Sequence, residues 1–256
     1  MRILFLYATT ALFVLGCLFA LIAYNETHEN MVSLAKTDVH VIPIEHATAV
    51  IGWGDTTIYT DPVGGASAFD GQQSPDIILL TDIHGDHLNA DTLSSVSGEA
   101  TLIAPQAVKD ALPASLASRI TVMRNGETHS VQGFTVLATP MYNVPESNDA
   151  FHTKGRGNGY IVEKNGFRVL IAGDTGNTQE LRALKDIDIA LIPMNLPYTM
   201  SVEEAANAVL AFKPKTVYPY HYRGPDGLAD VARFKQLVNE NDPTIEVVLA
   251  DWYPAH

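Results

Sequence analysis

Apolar and polar positions alternate in short runs over most of the chain, and the period changes from strand-like to helix-like and back. His40–Ile44, Ala49–Gly52 and Thr57–Thr60 are β-branched or apolar segments separated by turn residues, the pattern of consecutive antiparallel strands. Ile77–Leu80 is a continuous apolar run and predicts a buried strand. Helical spacing follows at Asp91–Val96 and Gln106–Leu112, with a strand at Thr101–Ile103 between them. Further strands are expected at Ile120–Met123, Phe134–Ala138, Tyr160–Glu163 and Arg168–Ile171; Lys164-Asn165-Gly166-Phe167 supplies the Asn-Gly signal of a hairpin joining the last two. The final third alternates strands at Ile189–Ile192, Thr216–Tyr220 and Glu246–Leu249 with two helices. Ser201-Val202-Glu203-Glu204 reads as a capping box opening the first, whose apolar face is Val202, Ala205, Ala206, Val209 and Leu210. Leu228, Val231, Phe234 and Val238 give the second a helix over Leu228–Val238. A strand-rich first half and a strand-helix second half predict an α/β fold, two sheets flanked by helices.

Ahead of this pattern, Ile3–Ala23 contains no charged residue, Arg2 precedes it, and Glu26 and Glu29 follow. Residues 1–25 therefore read as a signal peptide or an N-terminal membrane anchor, residues 26–37 as a juxtamembrane linker, and residues 38–256 as one catalytic domain. The charge order keeps the N-terminus in the cytoplasm and exports the rest, to the periplasm or as a domain tethered at the membrane. Cys17, the only cysteine, sits in a loose lipoprotein-like box and excludes both a disulfide and a thiolate metal site. The net charge of −13 argues against a nucleic-acid partner.

Chemistry concentrates at strand ends. Asp82-Ile83-His84-Gly85-Asp86-His87 places four potential metal ligands in six residues after an apolar strand. Two carboxylates and two imidazoles packed so closely are most simply reconciled by a cation. Asp174 ends the strand Arg168–Ile171 within Gly173-Asp174-Thr175, and His221 ends Thr216–Tyr220. The long loop between Thr139 and Gly159 carries Asn143, His152, Lys154 and Arg156, and a loop of this length is more often functional than idle. His28, His40, His129 and His256 read as solvated, with His129 in a turn.

Asp82-x-His84-x-Asp86-His87, then Gly173-Asp174-Thr175, then His221 together resemble the metallo-β-lactamase superfamily, in particular its branch of ascorbate-6-phosphate lactonase-like and phospholipase D-like metal-dependent hydrolases. His46-Ala47-Thr48 and Thr60-Asp61-Pro62 fit that family's opening strands and Asp-Pro turn. The resemblance implies an αββα sandwich of two mixed β-sheets with a metal centre, usually of two zinc ions, at one edge. Asp82 stands where the family has its first His. The first metal would then have Asp82, His84 and either Asn143 or His152, with His152 preferred because imidazole is the better zinc ligand. The second would have Asp86, His87, Asp174 and His221, Asp174 bridging. One ion is expected if the first site lapses, and manganese or iron would satisfy similar donors.

Such a centre lowers the pKa of bound water from 15.7 to about 7. The expected reaction is hydrolysis of an ester, lactone, amide or phosphodiester bond in a small-molecule or lipid-like substrate, with Asp86 orienting the nucleophile and accepting its proton. Asn143, Lys154, Arg156, Tyr198 and Tyr222 are candidate substrate contacts. His46 and Asp61 are candidate hydrogen-bond partners behind the ligands. The alternative is a non-catalytic metal-binding sensor of the same fold. A redox di-iron protein fits less well, because its carboxylate would replace His84 and no flavin domain follows.

Overall fold

The computed structural model describes residues 38–253. The expected signal peptide or anchor and the linker lie outside the described residues, as does His256. Among the described residues no helix is long and apolar enough to cross a membrane.

Two sheets face each other. The first has six strands in chain order: β1 (Val39–Glu45), β2 (Thr48–Trp53), β3 (Thr56–Thr60), β4 (Ile77–Leu79), β5 (Thr101–Ala104) and β6 (Ile120–Val122). The first three pair antiparallel and the last four parallel, so the sheet is mixed. The second sheet contains β7 (Thr128–Val131), β8 (Phe134–Met141), β9 (Gly157–Lys164), β10 (Phe167–Ile171), β11 (Ile189–Pro193), β12 (Thr216–Tyr220) and β15 (Glu246–Val247). Its first four strands pair antiparallel and β10, β11, β12 and β15 parallel. A small hairpin, β13 (Arg223–Gly224) and β14 (Gly227–Leu228), stands apart. Helices α1 (Ala90–Val96), α2 (Gln106–Ala111) and α3 (Ala114–Ala117) belong to the first half; α4 (Gln179–Arg182), α5 (Val202–Phe212) and α6 (Val231–Asn241) belong to the second. This is the αββα sandwich.

Burial explains the sequence pattern. β2, β4 and β11 are buried along their whole length, so each reads as a continuous apolar run rather than an alternation. The main core lies between the sheets, with Ile51, Ile77, Leu79, Phe134, Tyr160 and Leu191 among its members; a second packs Ile78, Leu80, Leu93, Leu102 and Val108 on the outer face of the first sheet. Asn165 and Gly166 take positive φ of 53° and 78° in the β9–β10 turn, as an Asn-Gly hairpin requires. Ser201 and Glu204 form the complete capping box.

Three expectations are corrected. His129 lies on β7, not in a turn, because Thr128–Val131 pairs with β8. The last helix begins at Val231, where the Asp230 side chain accepts from the Arg233 amide; Leu228 belongs to β14 and is exposed. The long loop contracts to residues 142–156, because β8 and β9 stay paired out to Met141 and Gly157.

The sheets are tied together next to the site. The Asn158 amide donates to the Thr81 carbonyl at 3.0 Å, and the buried Tyr160 hydroxyl donates to the Leu80 carbonyl at 2.9 Å. Tyr160→Phe removes the second tie at nearly constant volume. The expected loss is about 1–3 kcal/mol, seen in thermal denaturation as a drop of about 2–4 °C per kcal/mol.

Candidate metal centre

Every polar side chain of the site comes from one edge of the sandwich. Parallel strands end on the same side, so β3 delivers Asp61, β4 delivers Asp82 to His87, β10 delivers Asp174, β11 delivers Asn195 and β12 delivers His221. β9 runs antiparallel to β10 and therefore starts at this edge. The loop entering it brings His152 and Arg156. Gly157 is needed for that approach: a Cβ there would collide with Met141 and lie 2.9 Å from the Thr81 carbonyl oxygen.

His87, Asp174 and His221 are buried with their reactive atoms face to face. His87 Nε2 lies 3.0 Å from His221 Nε2 and 3.3 Å from Asp174 Oδ2. His221 Nε2 is 3.2 Å from Asp174 Oδ1 and 3.3 Å from Asp86 Oδ2. His152 Nε2 is 3.2 Å from Asp174 Oδ2. Ligands bonded at about 2.1 Å to a tetrahedral ion stand about 3.4 Å apart, close to these separations. The donor chemistry fits as well. His152 Nε2 and Asp174 Oδ1 are buried without any hydrogen-bond partner, although imidazole nitrogens lie only 3.2 Å from Asp174, so an ion between them would satisfy otherwise orphaned atoms.

The atoms behind the cluster orient it. Asp61 Oδ2 lies 2.8 Å from His87 Nδ1 while Asp61 accepts from the Thr81 amide at 2.7 Å and its hydroxyl at 2.6 Å. This carboxylate–imidazole pair fixes the ring and leaves Nε2 aimed at the cluster. His152 Nδ1 sits 3.2 Å from the Tyr198 carbonyl, to which Asn143 Nδ2 also donates at 2.7 Å. Asn143 Oδ1 in turn accepts from the His152 amide at 2.8 Å. Both polar ends of Asn143 are thus used in holding the loop, and it is His152 that reaches the cluster. His46 Nε2 is 3.2 Å from Asp86 Oδ2, its ring lies 3.8 Å from that of His221, and its Nδ1 meets the Tyr253 hydroxyl at 2.6 Å.

Donors therefore gather in three groups: His87, Asp174 and His221; Asp82, His84 and His152; and His46, Asp86 and His221. A pocket of about 290 Å³ opens over them, lined by His84, Asp86, Phe151, His152, Asp174, Asn195 and Tyr198. Lys154 instead pairs with Glu146 at 3.1 Å and Glu180 at 2.8 Å, outside the pocket lining. Tyr222 lines a neighbouring groove, and Arg156 is bonded to Asp82. Sequence reasoning missed Asn195 and Phe151, although Asn195 follows a strand end like Asp174. Tyr253 carried no local signal at all.

Burial alone would depress the His87 pKa, but the flanking charges of Asp174 and Asp61 outweigh it and hold the imidazole well above its ordinary value. Burial pushes Asp174 up, yet the charges of His221 and His87 hold it well below the carboxylate range. Burial likewise opposes ionisation of Asp86, and the bonds from His221 and His46 overcome it, so Asp86 is ionised at neutral pH. His46 moves the other way, lowered chiefly by burial.

The sequence profile of the beta-lactamase superfamily domain matches residues 40–221. The chain belongs to the metallo-β-lactamase superfamily. Within it, the chain is 33% identical over 171 residues to a UPF0173 metal-dependent hydrolase of Pyrococcus abyssi, covering 64% of this chain and 75% of that one. It is similar to a crystal structure from Parabacteroides distasonis, at 34% identity and TM-score 0.72 over 82% of this chain and 92% of the other. Igni18, a metallo hydrolase of Ignicoccus hospitalis, shares the fold at 23% identity and TM-score 0.70, covering 83% and 95%. The metallo-β-lactamase relatives named as metal-dependent hydrolases support a hydrolase here.

Metal binding should release a proton from His87. The imidazole binds only when neutral, and its raised pKa means protons compete throughout the range below that pKa. Apparent affinity should fall as pH is lowered below the raised pKa, approaching tenfold per pH unit where the imidazole is fully protonated without metal. Calorimetry in two buffers of different ionisation enthalpy reads the proton release directly; a pH-independent affinity would contradict it.

Proposed function

We propose that the pocket is a hydrolytic zinc centre that cleaves an ester, lactone, amide or phosphodiester bond in a small-molecule or lipid-like substrate. One observation carries this reading: a half-exposed Asp86 lines a pocket together with His152 and Asp174, and Asp174 belongs to the buried His87–Asp174–His221 cluster. His87, Asp174, His221 and Asp86, with His152 alongside, would hold the metal. When bound, the ion supplies Lewis acidity and makes water nucleophilic at neutral pH.

The chain's own groups divide the remaining work. Asp86 is 43% exposed on its side chain and lines the pocket, and its low pKa suits it to orienting the nucleophile more than to retaining a proton. Asn195 Oδ1 is held by the Thr199 hydroxyl at 2.6 Å, which leaves its amide nitrogen free to donate to a developing oxyanion. Phe151 and Tyr198 stand edge to face with centroids 4.9 Å apart and form an apolar wall for the substrate's carbon skeleton. Arg156 is bonded to Asp82 and Lys154 paired with two glutamates, so among the described residues no lysine or arginine lines the pocket, which favours substrates recognised by shape and apolar contact.

The uncharged run from Ile3 to Ala23 supports an exported or membrane-tethered location, and a lipid-like or envelope-derived substrate is the first class to test. Asp86→Asn in the full chain should lower kcat toward p-nitrophenyl esters or bis(p-nitrophenyl) phosphate by about 10²–10⁴-fold. Chelation should abolish turnover and zinc restore it. Turnover indifferent to chelation would overturn the reading, and zinc binding without turnover on any ester, lactone or phosphodiester would favour the sensor.

A further inference from the structure

Of the three donor groups, the one containing Asp82 already holds a cation. Asp82 is fully buried, and Arg156 embraces it: Nε and Nη2 donate to Oδ1 at 3.2 and 3.1 Å, and Nη2 donates to Oδ2 at 3.0 Å. His84 Nδ1 lies 2.8 Å from Oδ2. An ionised carboxylate offers about four lone-pair positions, and three donors, Nε and Nη2 of Arg156 and Nδ1 of His84, already crowd its two oxygens.

We propose that Arg156 is the resident cation of the Asp82–His84–His152 group, so that the chain binds one metal, at His87, Asp174, His221 and Asp86, and is closed to a second. The proposal rests on the reading of the pocket as a metal centre. A dication placed among Asp82, His84 and His152 would lie against a guanidinium whose Nη2 is 3.5 Å from His84 Nε2. It would also have to strip that guanidinium from a buried partner, leaving the guanidinium unpaired. Among the described residues Arg156 is the only lysine or arginine within ion-pair distance of Asp61, Asp82, Asp86 or Asp174. Its position is fixed by backbone. The β9 start at Gly157 packs on Thr81 and Asp82 so closely that a Cβ would come within 3.3 Å of Asp82 Oδ1. His152, the third donor of the group, turns toward the other cluster, with Nε2 3.2 Å from Asp174 Oδ2 against 3.7 Å from Asp82 Oδ2.

Zinc content per chain, measured by native mass spectrometry on the full chain in detergent, tests this without reference to turnover. The parent should hold one zinc. Arg156→Ala frees the carboxylate and should raise the count to two, while Asp82→Asn should keep it at one, because Asp82 is not a ligand. Two zinc ions in the parent, a folded Arg156→Ala that stays at one, or loss of the single zinc in Asp82→Asn would each overturn the proposal. No zinc in any form would instead overturn the metal-centre reading beneath it. Should Arg156→Ala fail to fold, the parent and Asp82→Asn counts still decide.

Discussion

Four carboxylates converge at the edge where the two sheets meet, three of them buried, and their mutual repulsion is the constraint that the surrounding structure answers. Each is met differently. Asp61 shares a buried hydrogen bond with His87 and two with Thr81; Asp82 is closed by a guanidinium; Asp174 and Asp86 face imidazole nitrogens at 3.2–3.3 Å. Only the last two meet their partners in a geometry that leaves coordination capacity for an ion. On the one-metal proposal, the division between a self-neutralised half and a half open to an ion follows from which cation each carboxylate can reach.

Holding charges this close requires the backbone to be placed exceptionally at a few points. His46, Asp61 and His221 all adopt positive φ, at 55°, 43° and 48°, and all three touch the cluster. Such conformations cost of order 1 kcal/mol or more for a non-glycine residue and persist where neighbouring structure determines them. Here the determinants are visible: the His221 amide donates to the His46 carbonyl at 3.2 Å, and the Asp61 carbonyl accepts from the Thr48 hydroxyl at 2.6 Å. Local strain is thus offset by one bond that spans the two sheets and one within the first, which places side chains at strand ends with little freedom to drift.

Much of this was legible in the chain. Strands buried on both faces announce themselves as apolar runs, and the residue just beyond each run is where a parallel sheet presents chemistry, so Asp82–His87, Asp174 and His221 stood out. His152 was preferred to Asn143 on ligand chemistry, and its Nε2 faces Asp174 while both polar ends of Asn143 are bonded within the loop. What the sequence could not convey was pairing at a distance. Arg156 read as a substrate contact because nothing near it in sequence reveals that β9 begins against Asp82, and Lys154 read likewise although its partners, Glu146 and Glu180, lie in a loop and a separate helix. Tyr253, which bonds His46 from the far end of the chain, has no periodic or motif signature. The helix boundary slipped because Leu228 fits the apolar spacing while Asp230 sets the cap.

Everything at this edge turns on whether His87, Asp174 and His221 together hold a metal ion. A crystal grown with zinc, with data collected above and below the zinc absorption edge, tests it most directly. An anomalous difference peak is expected at bonding distance from His87 Nε2, His221 Nε2 and an Asp174 oxygen. An empty map at that position, with the three side chains ordered and unmoved, would contradict it.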